Sequence, residues 1–275
     1  MRNLPVSIAA ALILALVPAA SAEQIEVPTG DVKLRAMLYR PTGAGPFPAV
    51  VALHNCDGLG DGEAPIDERY REWGEHLAAL GFAVLFPDSF GSRGLASQCQ
   101  LRQPSVRASR TRINDANAAR HWLQAQPWVI ADRVSLMGWS HGATTALWTV
   151  RRSSARTRDK LPDFRAAVTL YPNCQRSGNL AWSARIPTLI LIGRADDWTL
   201  AATCEQMVAG ARGRSAGTMI TVYPGAYHDF DRANVALTER TGIANAASPT
   251  GRVHVGTNSP ARADAFKRVP EWFSR

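Results

Sequence analysis

The stretch Val134-Ser-Leu-Met-Gly-Trp-Ser-His-Gly-Ala143 decides how this chain reads. Val134 to Met137 is a short apolar strand candidate, Gly138-Trp139-Ser140-His141-Gly142 is a G-x-S-x-G turn, and residues 143–150 are apolar and compatible with a helix. In that strand–turn–helix setting the pentapeptide predicts a nucleophile elbow, with Ser140 at the tip of a strained turn. Side chains at either flanking position would collide with a neighbouring strand or helix, which is why both are glycine. The backbone N–H of His141 then points toward an oxyanion, at the positive end of the following helix. Glycine and serine are common, so the weight rests on the flanks and on the partners found elsewhere.

The 275 residues are 46% apolar and 20% charged, ordinary proportions for a globular chain with a sizeable core. The first 22 stand apart. Met1-Arg2 is a positive start, Val6 to Val17 an apolar run, and Ala20-Ser21-Ala22 a small-residue cleavage site before Glu23. The run is short of the roughly 20 residues that span a bilayer. The expectation is a secretory signal peptide and a mature protein starting at Glu23, secreted or periplasmic, with no stable membrane insertion. Without Arg2 the chain carries 30 basic and 23 acidic residues, a formal charge of +7. The positives are dispersed and not interleaved with aromatics, which argues against a nucleic-acid partner. Cys56, Cys99, Cys174 and Cys204 lack the spacing of a metal site, and an oxidising compartment would let them form disulfides. Cys174 with Cys204 is the expected bridge, because each follows a predicted strand at the same end of the sheet.

Outward from the elbow, apolar runs and amphipathic stretches alternate. Residues 25–40 show the period-2 pattern of an edge hairpin or strand. Residues 49–53, 82–86, 166–171, 188–192 and 219–223 are short apolar runs of the kind found in strands buried on both faces. Residues 70–80, 109–126, 201–211 and 262–273 read as helices, and Asp132-Arg133 as a turn before the elbow strand. This alternation predicts an α/β fold, a mostly parallel central sheet with helices on both faces, in one domain over residues 23–275. Residues 231–259 lack clear periodicity, and a stretch that long inside a domain is often a lid or binding segment.

In a parallel open sheet the loops at the carboxyl ends of the strands line the ligand crevice. Three loops there carry suitable chemistry: Ser140; Gly193-Arg-Ala-Asp196-Asp197; and Tyr223-Pro-Gly-Ala-Tyr-His228-Asp229-Phe. The chain order Ser, Asp, His is the order of the α/β-hydrolases. Asp197 is a rival to Asp196, with one of the two expected to cap the next helix, and Asp229 is a lesser rival.

These stretches, with His54-Asn-Cys56-Asp-Gly-Leu and Pro87-Asp-Ser-Phe-Gly-Ser-Arg93-Gly, resemble the dienelactone hydrolase family of the α/β-hydrolase superfamily over nearly the whole chain after residue 22. The resemblance implies Ser140 as nucleophile, Asp196 as acid, His228 as base, and an oxyanion hole from the backbone of His141 and Cys56. Two departures stand out. The namesake enzymes use cysteine where this chain has Ser140, and the glycine common after the first histidine is Asn55 here.

A serine hydroxyl needs a base to attack a carbonyl at neutral pH, and an ionised carboxylate holds the imidazole in the right tautomer. The expected reaction is hydrolysis of a small-molecule ester or lactone through an acyl-enzyme, requiring no metal or organic cofactor. Arg93 is a candidate clamp for a substrate carboxylate or an ordinary partner of a nearby acid. Trp139 and Trp198 are candidate pocket walls or core residues. His54 is read as bracing its loop. A polyester or cutin-type hydrolase and a binding protein on an inactive hydrolase scaffold are the other readings.

Overall fold

The computed structural model describes residues 21–60, 66–152 and 160–275. The expected signal peptide lies outside the described residues except for Ser21 and Ala22, which open the first strand.

β1 (Ser21–Pro28) and β2 (Lys33–Arg40) form an antiparallel hairpin at one edge, and β2 also pairs antiparallel with β4 (Ala83–Pro87). The alternation in β2 holds, with Leu34, Ala36 and Leu38 buried. Beyond β4 every pairing is parallel: β3 (Phe47–Leu53), β5 (Val129–Trp139), β6 (Ala167–Leu170), β7 (Thr188–Gly193) and β8 (Thr218–Tyr223). The eight-stranded order is β1-β2-β4-β3-β5-β6-β7-β8.

The apolar runs are explained by cover on both faces. The crossover from β3 through α1 (Glu68–Ala79) to β4 steps toward the β1 edge. Those through α2 (Thr111–Gln124), α3 (His141–Thr149), α4 (Gln175–Asn179) and α5 (Ala201–Gly210) step toward β8. Crossovers between parallel strands are right-handed, so α1 lies on the face opposite the other four. The last helix, α6 (Ser259–Phe273), shares the α1 face, where Phe266 stacks on Trp73 at 3.9 Å. Asp67 caps α1 through the N–H of Arg69, and Asn258 caps α6 through that of Ala261.

Three details depart from the sequence reading. The Asp132-Arg133 turn is an irregularity inside β5: Phe47 pairs with Val129, but Ala49 with Val134. Residues 231–259 hold a small antiparallel ribbon, β9 (Thr238–Arg240) with β10 (Val253–Val255). The short helix α4 had no periodic signal.

One consequence of this order positions the site. β3 and β5 are neighbours, with Leu53 opposite Gly138, yet the helices that follow them leave on opposite faces. A crevice opens where two adjacent strands diverge in this way. The loop after β3 and the turn after β5 form its lips.

Candidate active site

Ser140 sits between β5 and α3 with φ 49° and ψ −109°, a conformation that L-residues rarely adopt. The glycines on either side are steric necessities. A Cβ on Gly138 would lie 2.5 Å from the carbonyl carbon and oxygen of Gly142, and one on Gly142 would lie 2.0 Å from the Leu53 oxygen. The turn is tied down by Ser140 N–H to Leu170 C=O at 2.9 Å and Thr144 N–H to Ser140 C=O at 2.8 Å.

The loops after β7 and β8 bring the other two groups to it. His228 Nε2 lies 2.9 Å from Ser140 Oγ, and its Nδ1 lies 2.8 Å from Asp196 Oδ2. All three side chains are buried. A carboxylate only accepts hydrogen bonds, so Nδ1 carries the hydrogen and the Nε2 lone pair faces the hydroxyl. The imidazole is held from its faces as well, with Trp198 stacked at 4.5 Å and Tyr171 tilted at 4.4 Å.

The rival carboxylates are engaged elsewhere. Asp197 turns away and accepts the backbone N–H and the ring nitrogen of His254 at 2.8 and 2.7 Å, anchoring β10. It caps no helix; the residue ahead of α5 is Leu200. Asp196 itself accepts the N–H groups of Trp198 and Thr199 through Oδ1, so the contact to His228 and the local turn share one side chain. Asp229 pairs with buried Arg69 at 2.7 Å. Burial alone would raise its carboxyl, but the charges of Arg69, His228 and Arg232 hold it down at about 2.

The opposite lip is the loop after β3. Asn55 N–H donates to Tyr70 Oη at 2.8 Å, Gln98 N–H donates to Cys56 C=O at 2.8 Å, and Cys56 is disulfide-bonded to Cys99. The backbone N–H groups of Cys56 and His141 donate to no group among the described residues, and both residues line the cleft with Ser140. His54 is fully buried and braces the loop: Nε2 accepts from Ser89 N–H, so Nδ1 donates to Asn55 C=O. Burial and then the Arg112 charge push its pKa well below the usual histidine range, keeping it neutral.

The cleft around Ser140 has a volume of about 720 Å³. Trp198 forms part of its wall, as do Trp148 and residues 244–246 of the aperiodic stretch. Arg102, Arg107 and Arg176 line it, form no ion pair among the described residues, and face no Asp or Glu there. Two expected substrate contacts are not at the site. Trp139 is fully buried beneath the elbow, its indole N–H on Asp231 at 2.8 Å, and is core. Arg93 is spent on Asp115 and Asp31, the pairing alternative, because the acids on α2 and the β1–β2 turn lie within its reach. The Cys174–Cys204 bridge is present, and Cys56–Cys99 is a second that spacing did not single out. Cys56, Asp57 and Cys99 cluster closely, but both sulfurs are bonded to each other and neither can offer a thiolate to a metal.

Beneath the site lies a buried polar network that sequence reasoning missed. Arg69 Nη1 donates to Tyr171 Oη and Asp229, Tyr171 Oη donates to Asp231, and Asp231 also takes the indole N–H groups of Trp73 and Trp139. Thr199 Oγ lies 3.0 Å from Asp196 Oδ2. The sequence singled out Trp139 and Asp229 for other roles and gave no sign of Arg69, which lies just ahead of the helix read over residues 70–80.

The model of the dienelactone hydrolase family matches residues 34–275. An inferred carboxymethylenebutenolidase of Methylorubrum extorquens is 22% identical over 267 residues, 92% of this chain and 80% of that protein. Among solved structures, an inferred dienelactone hydrolase of Klebsiella pneumoniae is 20% identical with a TM-score of 0.70, covering 94% of this chain and all of that one. A dienelactone hydrolase-like promiscuous phosphotriesterase from metagenomic libraries is also 20% identical, with a TM-score of 0.66 over 94% of this chain and 98% of that one. These structures share the α/β-hydrolase fold.

Proposed function

The chain belongs to the dienelactone hydrolase family, and on that premise we propose that it is an exported serine hydrolase cleaving carboxylic esters or lactones of small anionic molecules. The observation that carries the catalytic reading is the imidazole of His228 set between Ser140 Oγ and Asp196 Oδ2, at 2.9 and 2.8 Å, in an open cleft.

His228 Nε2 takes the Ser140 proton as Oγ bonds to the substrate carbonyl carbon. Asp196 stabilises the imidazolium that results. The N–H groups of His141 and Cys56 receive the oxyanion of the tetrahedral intermediate. Collapse breaks the ester C–O bond, and His228 returns its proton to the departing alkoxide. Water then repeats the sequence on the acyl-enzyme, releasing the acid and restoring Ser140. A lactone follows the same course, its alcohol and acid remaining one molecule.

Arg102, Arg107 and Arg176 favour a substrate with a negative group, because guanidinium donors match carboxylate oxygens. The same three cations argue against an uncharged, insoluble polyester chain. Export is supported by the sequence pattern of residues 1–22 and by two disulfides, which persist in oxidising compartments. N-terminal sequencing of the exported protein should then begin at Glu23.

A fluorophosphonate probe should label the protein at Ser140, and Ser140→Ala should abolish both labelling and ester turnover. No labelling of the folded protein would favour a binding role. Between a neutral phenyl ester and one bearing a carboxylate on its acyl group, kcat/KM should favour the anionic one and lose that preference in Arg102→Gln/Arg107→Gln. Equal rates for both esters would remove the anionic assignment.

A further inference from the structure

Arg112, in the first turn of α2, is fully buried, and no carboxylate takes its guanidinium among the described residues. The acid nearest in sequence, Asp115, makes its paired contacts with Arg93 instead, at 2.8 and 3.0 Å. Arg112 Nη1 donates to the His54 carbonyl at 2.8 Å and to His141 Nδ1 at 2.9 Å. Nε lies 3.3 Å from Ser89 Oγ, and Nη2 is buried without a partner. The cation also sits 5.2 Å from the Phe90 ring centre.

Such a side chain is a poor choice for stability. A buried charge without a counter-ion, and with a spare donor, costs more than an apolar residue of similar volume. Burial shows in its titration, which falls to about 10 despite Asp115. What the fold obtains in return lies at the two ends of Nη1. His54 is two residues before Cys56, and His141 follows Ser140. They belong to the two separate backbone segments that carry Cys56 and His141, cleft-lining residues whose N–H groups donate to no group among the described residues.

We propose that Arg112 is a positioning residue for the oxyanion hole, bridging the β3 loop and the elbow through one nitrogen and so fixing the distance between the two backbone donors. The bridge requires His141 neutral, with Nδ1 as acceptor. Burial and then the adjacent guanidinium depress that imidazole to about 3, so the bond persists at neutral pH. The role rests on the serine-hydrolase reading above.

The test compares wild type, Ser140→Ala, Arg112→Gln and Arg112→Lys in p-nitrophenyl acetate hydrolysis, with rates corrected for folded protein by circular dichroism. Affinity for a trifluoromethyl ketone, which forms a tetrahedral adduct on the serine, is measured alongside. If the bridge sets the donor spacing, Arg112→Gln loses about 100-fold in kcat with KM little changed, and inhibitor affinity falls in parallel, as for loss of an oxyanion donor. Arg112→Lys keeps a charge on one nitrogen and loses about tenfold. Lower thermal stability with undiminished kcat and inhibitor affinity in folded Arg112→Gln would overturn the proposal. Should Arg112→Gln not fold, the same result in Arg112→Lys would overturn it. Turnover that survives Ser140→Ala would overturn the serine-hydrolase reading and this role together, whereas Ser140-dependent turnover untouched by either Arg112 variant overturns this role alone.

Discussion

Asp196→Asn separates the charge of the third group from its scaffolding. Asp196 Oδ1 accepts the N–H groups of Trp198 and Thr199 at 3.0 and 2.8 Å, and an asparagine oxygen in that place keeps both bonds. The other position lies 2.8 Å from His228 Nδ1 and 3.0 Å from the Thr199 hydroxyl. A carboxylate there forces Nδ1 to donate and leaves Nε2 free to accept the Ser140 proton. An amide NH₂ in its place donates, so Nδ1 becomes the acceptor and Nε2 turns an N–H toward the hydroxyl it should deprotonate. The base is lost with scarcely an atom moved. The expected fall is about 10⁴ in kcat, or about 5 kcal/mol of transition-state stabilisation. Asp197→Asn weakens only a part-exposed contact to His254, worth at most about 1 kcal/mol. Steady-state p-nitrophenyl acetate kinetics on both variants, with thermal melts to verify folding, make the comparison. The reasoning fails if Asp196→Asn retains kcat within about tenfold of wild type, or if Asp197→Asn is the more damaged enzyme.

Other perturbations reach the fold around Ser140, His228 and Asp196. Gly142→Ala places a methyl 2.0 Å from the Leu53 oxygen, so the β3 loop and the elbow must part, costing about 3 kcal/mol of stability and most of the activity; a variant with wild-type melting and turnover would contradict the close approach. Asp229 titrates at about 2 in the folded chain against 3.8 for the free group, so its stabilisation is full above about pH 4 and is lost as pH falls toward 2. That amounts to about 2 kcal/mol, and urea titrations between pH 5 and 2 should show a shallower acid decline in Asp229→Asn. Reduction should cost about 4 kcal/mol for each bridge by loop-closure entropy, with loops of 43 and 30 residues; peptide mapping of the unreduced protein that finds free thiols at these positions would refute the pairing.

Most of the framework was legible because it depends on short-range patterns. Continuous apolar runs mark strands covered on both faces, and the runs at residues 49–53 and 188–192 became β3 and β7 with small changes at their ends. The elbow was legible for a steric reason: only glycine tolerates the approaches at positions 138 and 142. The β9–β10 ribbon was not, since strands of three residues are too short to show alternation. Tertiary anchors hold it: Arg240 on Asp57, His254 on Asp197, and Ala244 N–H on Cys99 C=O.

By itself, then, the sequence determined the layer architecture, the order of the chemistry-bearing loops and the identity of the elbow serine, all consequences of local periodicity and local sterics. Only the tertiary structure put Asp196 rather than Asp197 against His228, moved Trp139 into the core, gave Arg93 to Asp115, and set Arg112 between His54 and His141. Neighbouring residues in a loop differ in the direction their side chains leave the backbone, and a buried polar group is defined by partners up to 160 positions away, as Arg69 is by Asp229. No window along the chain contains that information; it arises when strands distant in sequence are packed side by side.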